Sequence, residues 1–275
     1  MQVENKNNSI VEMLEKEKSN KGYYMMIAVA ILGLLIWSMS VIEVKPLSKD
    51  GMVIAKNIFK GIFHPDTSFL FNFTKQGVPF LLLETIAIAV LGTLFGAILA
   101  LPLAFLSATN IVPKPVAFIM NFINMAIRTV PPFVYGLMFI RVTGPGASAG
   151  VLTLAVASIG MIAKMFTETI ENLDQGIIES MEASGASLFQ KIRFGIIPQL
   201  KPDFLSLLLY RFDMNLRDAT ILGLVGAGGI GAPLIFAMNA YRWNQVGSIL
   251  IGLFLLIFVV EAASSRIRRF LIQGK

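Results

Sequence analysis

Between two long apolar runs the chain reads Glu179-Ser-Met181-Glu182-Ala-Ser-Gly185-Ala186-Ser-Leu188-Phe-Gln-Lys191-Ile192-Arg-Phe194-Gly195-Ile-Ile-Pro198. Asp174 to Ser184 supplies a first short helix, and Gly185 permits a backbone turn that a Cβ hinders. A second helix, about residues 186–194, sets Leu188, Ile192 and Gly195 on one side and Lys191 on another. Pro198 is expected to end it, because proline lacks the amide donor and clashes with the preceding turn. The result is an amphipathic knob of the kind that seats in a groove of a partner.

The setting of that knob is a membrane. Hydrophobic residues make up 55% of the 275 and charged residues 15%, with a mean hydropathy of +0.72. Several runs exceed the roughly 20 helical residues that cross a hydrocarbon core. The net charge of +6 does not point to nucleic acid, since no basic, aromatic-rich module stands outside the apolar runs. There are no cysteines, which excludes disulfides, thiolate metal sites and a cysteine nucleophile. The single histidine, His64, cannot complete a metal cluster and reads as a solvated loop residue.

The apolar runs define an all-α integral membrane protein of about six spans, at about residues 22–42, 78–108, 116–140, 149–166, 202–224 and 246–263. The expected organisation is a cytoplasmic tail over 1–21, a first span and extracytoplasmic segment over 22–76, a core over 77–268 and a tail over 269–275. The polar loop at 167–201 interrupts the core. Within the first tail, Ile10, Val11, Met13 and Leu14 fit either a short amphipathic surface helix or a frayed end. The first span is read as an uncleaved anchor, since its polar lead is long and no small-residue cleavage site follows. The sixth span is expected to stop at Arg266, Arg268 and Arg269.

Lysines and arginines set orientation. Four up to Lys21, Lys114, four from Lys164 to Lys201 and four from Arg266 onward outweigh seven on the opposite side: Lys45, Lys49, Lys56, Lys60, Lys75, Arg141 and Arg242. Both termini are therefore expected in the cytoplasm.

The fifth span carries Arg211, Asp213, Asn215, Arg217 and Asp218. Ionisable residues within a span are costly unless paired or wetted, and by default they mark a pathway. Arg211 and Asp218 share a face, as do Asp213 and Arg217. Arg217 and Arg128 either lend positive potential to a passage or belong to an internal salt-bridge network. Lys164 and Glu168 are expected to form a structural bridge.

Gly226-Ala-Gly228-Gly229-Ile-Gly231 satisfies the G-x-G-x-x-G spacing of dinucleotide sites. That motif needs a strand before it and an acid about 20 residues on; here a membrane helix precedes it and Ile251 holds the later position. These glycines are expected to let the backbone leave the helix at the outer face, open to a docking partner there. No G-x-x-x-x-G-K-[ST] occurs, so ATP must be bound by another chain.

The spacing of Glu179, Gly185 and Pro198 resembles the coupling loop of ABC-transporter permeases, where a Gly follows the Glu of a Glu-Ala-Ala triplet by six residues and a Pro follows the Gly by thirteen. Here the triplet is Glu179-Ser180-Met181, and Asp213 stands near where relatives often place Glu. Arg217 to Gly231 resembles the end of the penultimate helix of permeases of the phosphonate transport family. Glu84-Thr85, Gly92-Thr93, Pro102 to Phe105, Asn110, Arg128 to Pro131, Gly160 to Glu168 and Glu171 to Asp174 fit the same family, so the resemblance spans about residues 83–231. It implies a type I ABC importer permease fold and import of phosphonate or a related phosphorus oxyanion. The implied partners are ABC ATPase subunits, an extracytoplasmic substrate-binding protein, a second permease chain (identical or a paralogue) and membrane lipid, with no nucleic acid. The resemblance implies no cofactor in this chain, ATP and Mg being bound by the ATPase, and ATPase coupling at Glu179, Gly185, Ala186 and Pro198. Phosphate, phosphite or an amino acid are alternative cargoes. A membrane-embedded phospholipid phosphatase or transferase is the alternative class, disfavoured by the absence of converging catalytic groups.

Overall fold

The computed structural model describes residues 21–42 and 49–273, all of its regular elements there being helical. The expectation for the first twenty residues lies outside the described residues. The chain forms two compact units, which divide after Val53. In the first unit, α1 (Lys21–Val41) is 21 residues long and apolar throughout, enough to cross a membrane.

The second unit holds the core. The segment expected to be extracytoplasmic contains α2 (Lys49–Phe63), which belongs to this unit from Ile54 onward, and the single turn α3 (Thr67–Leu70), capped by Asp66. After it come α4 (Val78–Ser107), α5 (Lys114–Thr129), α6 (Pro132–Thr143) and α7 (Ala147–Glu171). Helix α4 packs on α7 through small residues. A Cβ on Gly92 or Gly96 would lie 2.5 Å from Leu154 Cβ or 2.7 Å from Ser158 Cβ, so the two backbones approach as closely as a G-x-x-x-G face allows. Near the far ends of α4 and α7, Glu171 accepts from Thr109 N and Oγ1 at 2.9 and 2.8 Å, and Asn110 Nδ2 donates to Ile170 O at 2.9 Å.

The third expected span is not one helix. Helices α5 and α6 meet at an angle of 81°. Pro131 and Pro132 explain the break: a residue before proline is pushed out of the helical region, and Val130 sits at φ −85°, ψ 119°. Tyr135 Oη donates to Ile127 O at 3.1 Å across the bend.

Beyond the loop, α10 (Ile197–Gly223) follows two short helices, α8 (Gln175–Ala183) and α9 (Leu188–Gln190), and precedes α11 (Gly231–Asn239) and α12 (Trp243–Gln273). Among the described residues four helices, α1, α4, α7 and α12, have both the length and the apolarity to span a membrane, or five if α5 and α6 form one broken span. Helix α10 has 27 residues, roughly 40 Å, but its charges set it apart from the four. Helix α12 does not stop at Arg266; it continues through all three arginines to Gln273. The reason is tertiary, because Arg268 Nη2 lies 3.6 Å from Asp213 Oδ2 on α10.

Candidate coupling surface and charged helix

The polar loop is built from two capped arms. Asp174 accepts from Gly176 N at 2.9 Å and starts α8. At the other end Gly185 takes φ +72°, its N–H donating to Glu182 O at 2.8 Å and that of Ala186 to Met181 O at 3.0 Å. This paired arrangement satisfies the last carbonyls of a helix and needs a left-handed residue at the turn. An added Cβ on Gly185 would meet nothing within 4 Å, so its requirement is conformational. Ala186 thus owes its place to its backbone N–H.

Ser187 and Gln190 then cap each other's backbone, at 3.4 and 2.8 Å. The second arm departs from expectation. Only Leu188–Gln190 is α-helical; Lys191–Ile196 is a π-helix that runs directly into α10. Pro198 therefore lies at the start of α10 and ends nothing. The wide turn accounts for this: Ile197 N donates five residues back to Ile192 O, and Gln199 Nε2 covers Gly195 O at 2.5 Å. A missing amide at Pro198 is accommodated where the helix is already leaving the α ladder.

The arms close on each other. Met181 packs its sulfur where a Cβ on Gly195 would stand, so the larger residue in the triplet is matched by a glycine opposite. Lys191 Nζ and Glu182 Oε1 are 2.6 Å apart. Ile192 and Gly195 face inward, whereas Phe189 and Phe194 are 68% and 65% exposed and Leu188 is exposed beside them. Glu179 is exposed and makes no side-chain hydrogen bond or ion pair among the described residues. The aromatic pair went unnoticed in the sequence; the Ser187-x-x-Gln190 cap is the signal that fixes which face turns outward.

In α10 the polar residues are inside. Asn215 is 0% exposed and donates to Thr93 Oγ1 of α4 at 2.8 Å and to Ser158 Oγ of α7 at 2.9 Å. Arg211, 4% exposed, donates from Nε to Ser158 Oγ at 3.0 Å and places Nη2 3.9 Å from Asp218 Oδ2. Asp213 is buried against α12. Asn215 and Asp213, sequence candidates for a passage, therefore cross-link helices within the protomer. The bonding roles of Ser158, Thr93 and Arg268 are not legible in the sequence, because their partners are distant in it.

Arg217 keeps an exposed side chain, but its nearest acid is Glu261 of α12 at 3.3 Å rather than Asp213. Arg128 ends α5, is exposed, and makes no hydrogen bond or ion pair among the described residues. Its stem lies over Gly160, where a Cβ would stand 2.6 Å from Arg128 Cγ. Lys164 and Glu168 pair at 3.2 Å.

The glycine segment does carry the chain out of α10, with Gly226, Gly228 and Gly229 at φ +97°, +82° and +71°. It is a packing hub: Gly146 N donates to Gly226 O at 2.9 Å and Ile230 N to Thr85 Oγ1 at 3.0 Å. Gly229 and Gly231 are buried, so they present no surface to a partner.

Residues 100–274 match the family described as binding-protein-dependent transport system inner membrane component. The phosphite transport system permease protein PtxC of Stutzerimonas stutzeri is 34% identical over 189 residues, 68% of this chain and 69% of that one. The putative cryptic phosphonate transport system permease protein PhnE2 of Escherichia coli (strain K12) is 33% identical over 118 residues, 43% of this chain and 97% of that one. Among solved structures, a chain of the MetNI methionine ABC transporter in an inward-facing conformation shares the fold, with a TM-score of 0.61 and 23% identity over 70% of this chain and 95% of that one. The chain belongs to the binding-protein-dependent transport system inner membrane component family, and it is a permease subunit of an ABC importer, a transport component and not an enzyme.

Proposed function

We propose that this permease imports a small phosphorus oxyanion, phosphonate or phosphite, by alternating access. The carrying observation is continuity: the exposed Phe189–Phe194 surface and the exposed Arg217 belong to one unbroken helical run through the π-turn. An ATPase pair seats the loop, Glu179 and the aromatic face included, and its closure moves α10. Two permease chains, identical or paralogous, enclose the passage. Arg217 and Arg128 lend it positive potential, which suits a tetrahedral anion. An extracytoplasmic binding protein delivers the cargo, ATP and Mg are held by the ATPase, and both termini of this chain lie in the cytoplasm. The names of two relatives, which specify phosphite and phosphonate, support the cargo; phosphate and amino acids are the competing cargoes.

The test is ATP hydrolysis by the permease reconstituted with its ATPase and binding protein across alkylphosphonates, phosphite, phosphate and methionine. Stimulation by phosphonate or phosphite is expected. Stimulation by methionine or phosphate alone would replace the cargo and leave the coupling intact.

A further inference from the structure

Two of the cations that weaken the charge bias, Lys60 and Arg242, are brought together at the end of the core away from the coupling loop. Gly61 lies against the Trp243 carbonyl and Gly247 against the Gly61 carbonyl, so closely that a Cβ on either would collide with backbone. This contact of α2 with α12 sets Lys60 and His64 beside residues 241–245, around an open cavity of about 500 Å³. His64 Nδ1–H donates to Lys60 O at 3.1 Å. Tyr241 holds φ +55°, uncommon for a bulky side chain, at the turn that presents Arg242. Asn57 and Asn244 add neutral amides to the wall, beside Gln245, whose side chain is turned to Asp66. Arg242 and Gln245 also line a neighbouring cavity of about 440 Å³ with Lys75.

Among the described residues no acidic side chain lines either cavity. Asp66 stands behind that wall: its N–H donates to Asn244 O at 3.1 Å, and its carboxylate accepts from Ser68 Oγ and Phe69 N at 2.5 and 3.2 Å and also interacts with the Gln245 side chain. Lys60, Lys75 and Arg242 form no ion pair among the described residues. The cleft at the coupling end, about 700 Å³ between α7 and α10, has the opposite sign: Glu168, Asp174 and Asp203 line it without a lysine or arginine. Cations gathered in a concave wall raise the local concentration of anions.

We propose that the Lys60–Arg242 cavity is a binding site for a tetrahedral phosphorus oxyanion at the outer mouth, separate from the span arginines. Phosphite, inorganic phosphate and the phosphate of a headgroup with net negative charge, unlike that of zwitterionic phosphatidylcholine, share the required chemistry. The site rests on the oxyanion reading above only for the identity of a free ligand.

Trp243 lines the cavity, and the chain has two tryptophans, so Trp37→Phe leaves one reporter. The full-length permease in phosphatidylcholine nanodiscs is titrated with phosphite. A saturable change in Trp243 emission is expected, with Kd raised at least about tenfold in a Lys60→Gln, Arg242→Gln double variant. Lys60→Arg with Arg242→Lys restores the response, separating lost charge from lost fold. Nanodiscs with phosphatidylglycerol and no added anion distinguish the sources: a response to that lipid alone, abolished in the double variant, identifies the headgroup as the ligand. A folded wild type silent to phosphite and to phosphatidylglycerol, or a response unchanged in the double variant, overturns the site. Phosphite uptake by the intact importer is measured in parallel. Uptake without a Trp243 response removes this site alone, whereas a response without uptake removes the cargo reading and leaves the site.

Discussion

The coupling loop and the middle of α10 lie on one helical run but distribute polarity in opposite senses. In the loop, Phe189 and Phe194 face out, while the polar ties are local: Asp174 to Gly176, Ser187 to Gln190, Lys191 to Glu182. In mid-helix, Arg211 and Asn215 face in, and their partners come from α4 and α7. A surface that turns aromatic rings outward after satisfying its own backbone suits a removable partner. An interior that spends its polar groups on distant helices resists rearrangement. The contrast separates the part of the run that must be grasped from the part that must move as a body.

The largest effect tests the interior half of that contrast. Arg211→Met leaves Asp218 without its cation and removes one of the bonds to Ser158; because Asp218 is only partly buried, the expected cost is about 2 kcal/mol, below the range for a fully buried pair. A lowered Tm of the detergent-solubilised permease is the readout, and a Tm within a degree of wild type would mean the network is not holding the helices. Next comes the exposed half. Phe189→Ser with Phe194→Ser should leave Tm unchanged and weaken association with the ATPase by roughly tenfold to a hundredfold, as for aromatic residues at the centre of an interface. Pull-down against graded ATPase concentrations measures it, and unaltered association would remove the docking role.

Arg217→Gln sharpens the comparison between paired and free arginines. Its exposed pair with Glu261 should contribute no more than about 1 kcal/mol, so assembly should survive while import falls severalfold. Equal loss of assembly and import would make the pair structural. The smallest effect is expected at Asp66, outside the spans. Hydrogen bonds from Ser68 and then Phe69 N hold its carboxyl below the usual carboxylate range. A depressed folded-state pKa stabilises above the unfolded value of roughly 4 and is lost as pH falls through the folded value. Asp66→Asn should therefore lower Tm slightly at neutral pH, with the difference vanishing in acid; a difference that grows in acid would contradict the cap.

What could be read from the sequence follows physical range. The apolar runs and the Asp174 and Gly185 boundaries were legible because hydropathy and local capping act within a few residues. Prolines were only half legible. Pro131 breaks a span that hydropathy alone carries through to Ile140, while Pro198, expected to stop a helix, is absorbed by a π-turn. The charged residues of α10 were recognisable as unusual, and Arg211 with Asp218, seven apart, could be placed on one face; the other assignments required partners 44 to 122 residues away, from Glu261 for Arg217 to Thr93 for Asn215. Arg268 illustrates the limit: its sequence context says boundary, and only Asp213 across the helix interface explains why α12 continues.

The π-turn at Lys191–Ile196 bears on which length changes the chain can tolerate. A π-turn holds about one residue more than the α-turn it replaces. A single-residue deletion there can relax to ordinary helix, leaving Arg211 and Asn215 facing α7. The same deletion between Ile197 and Arg211 would rotate everything after it by about 100° and carry that buried pair toward lipid. The turn thus works as an indel buffer, a place where the chain can gain or lose a residue while the phase of the membrane helix beyond it is preserved.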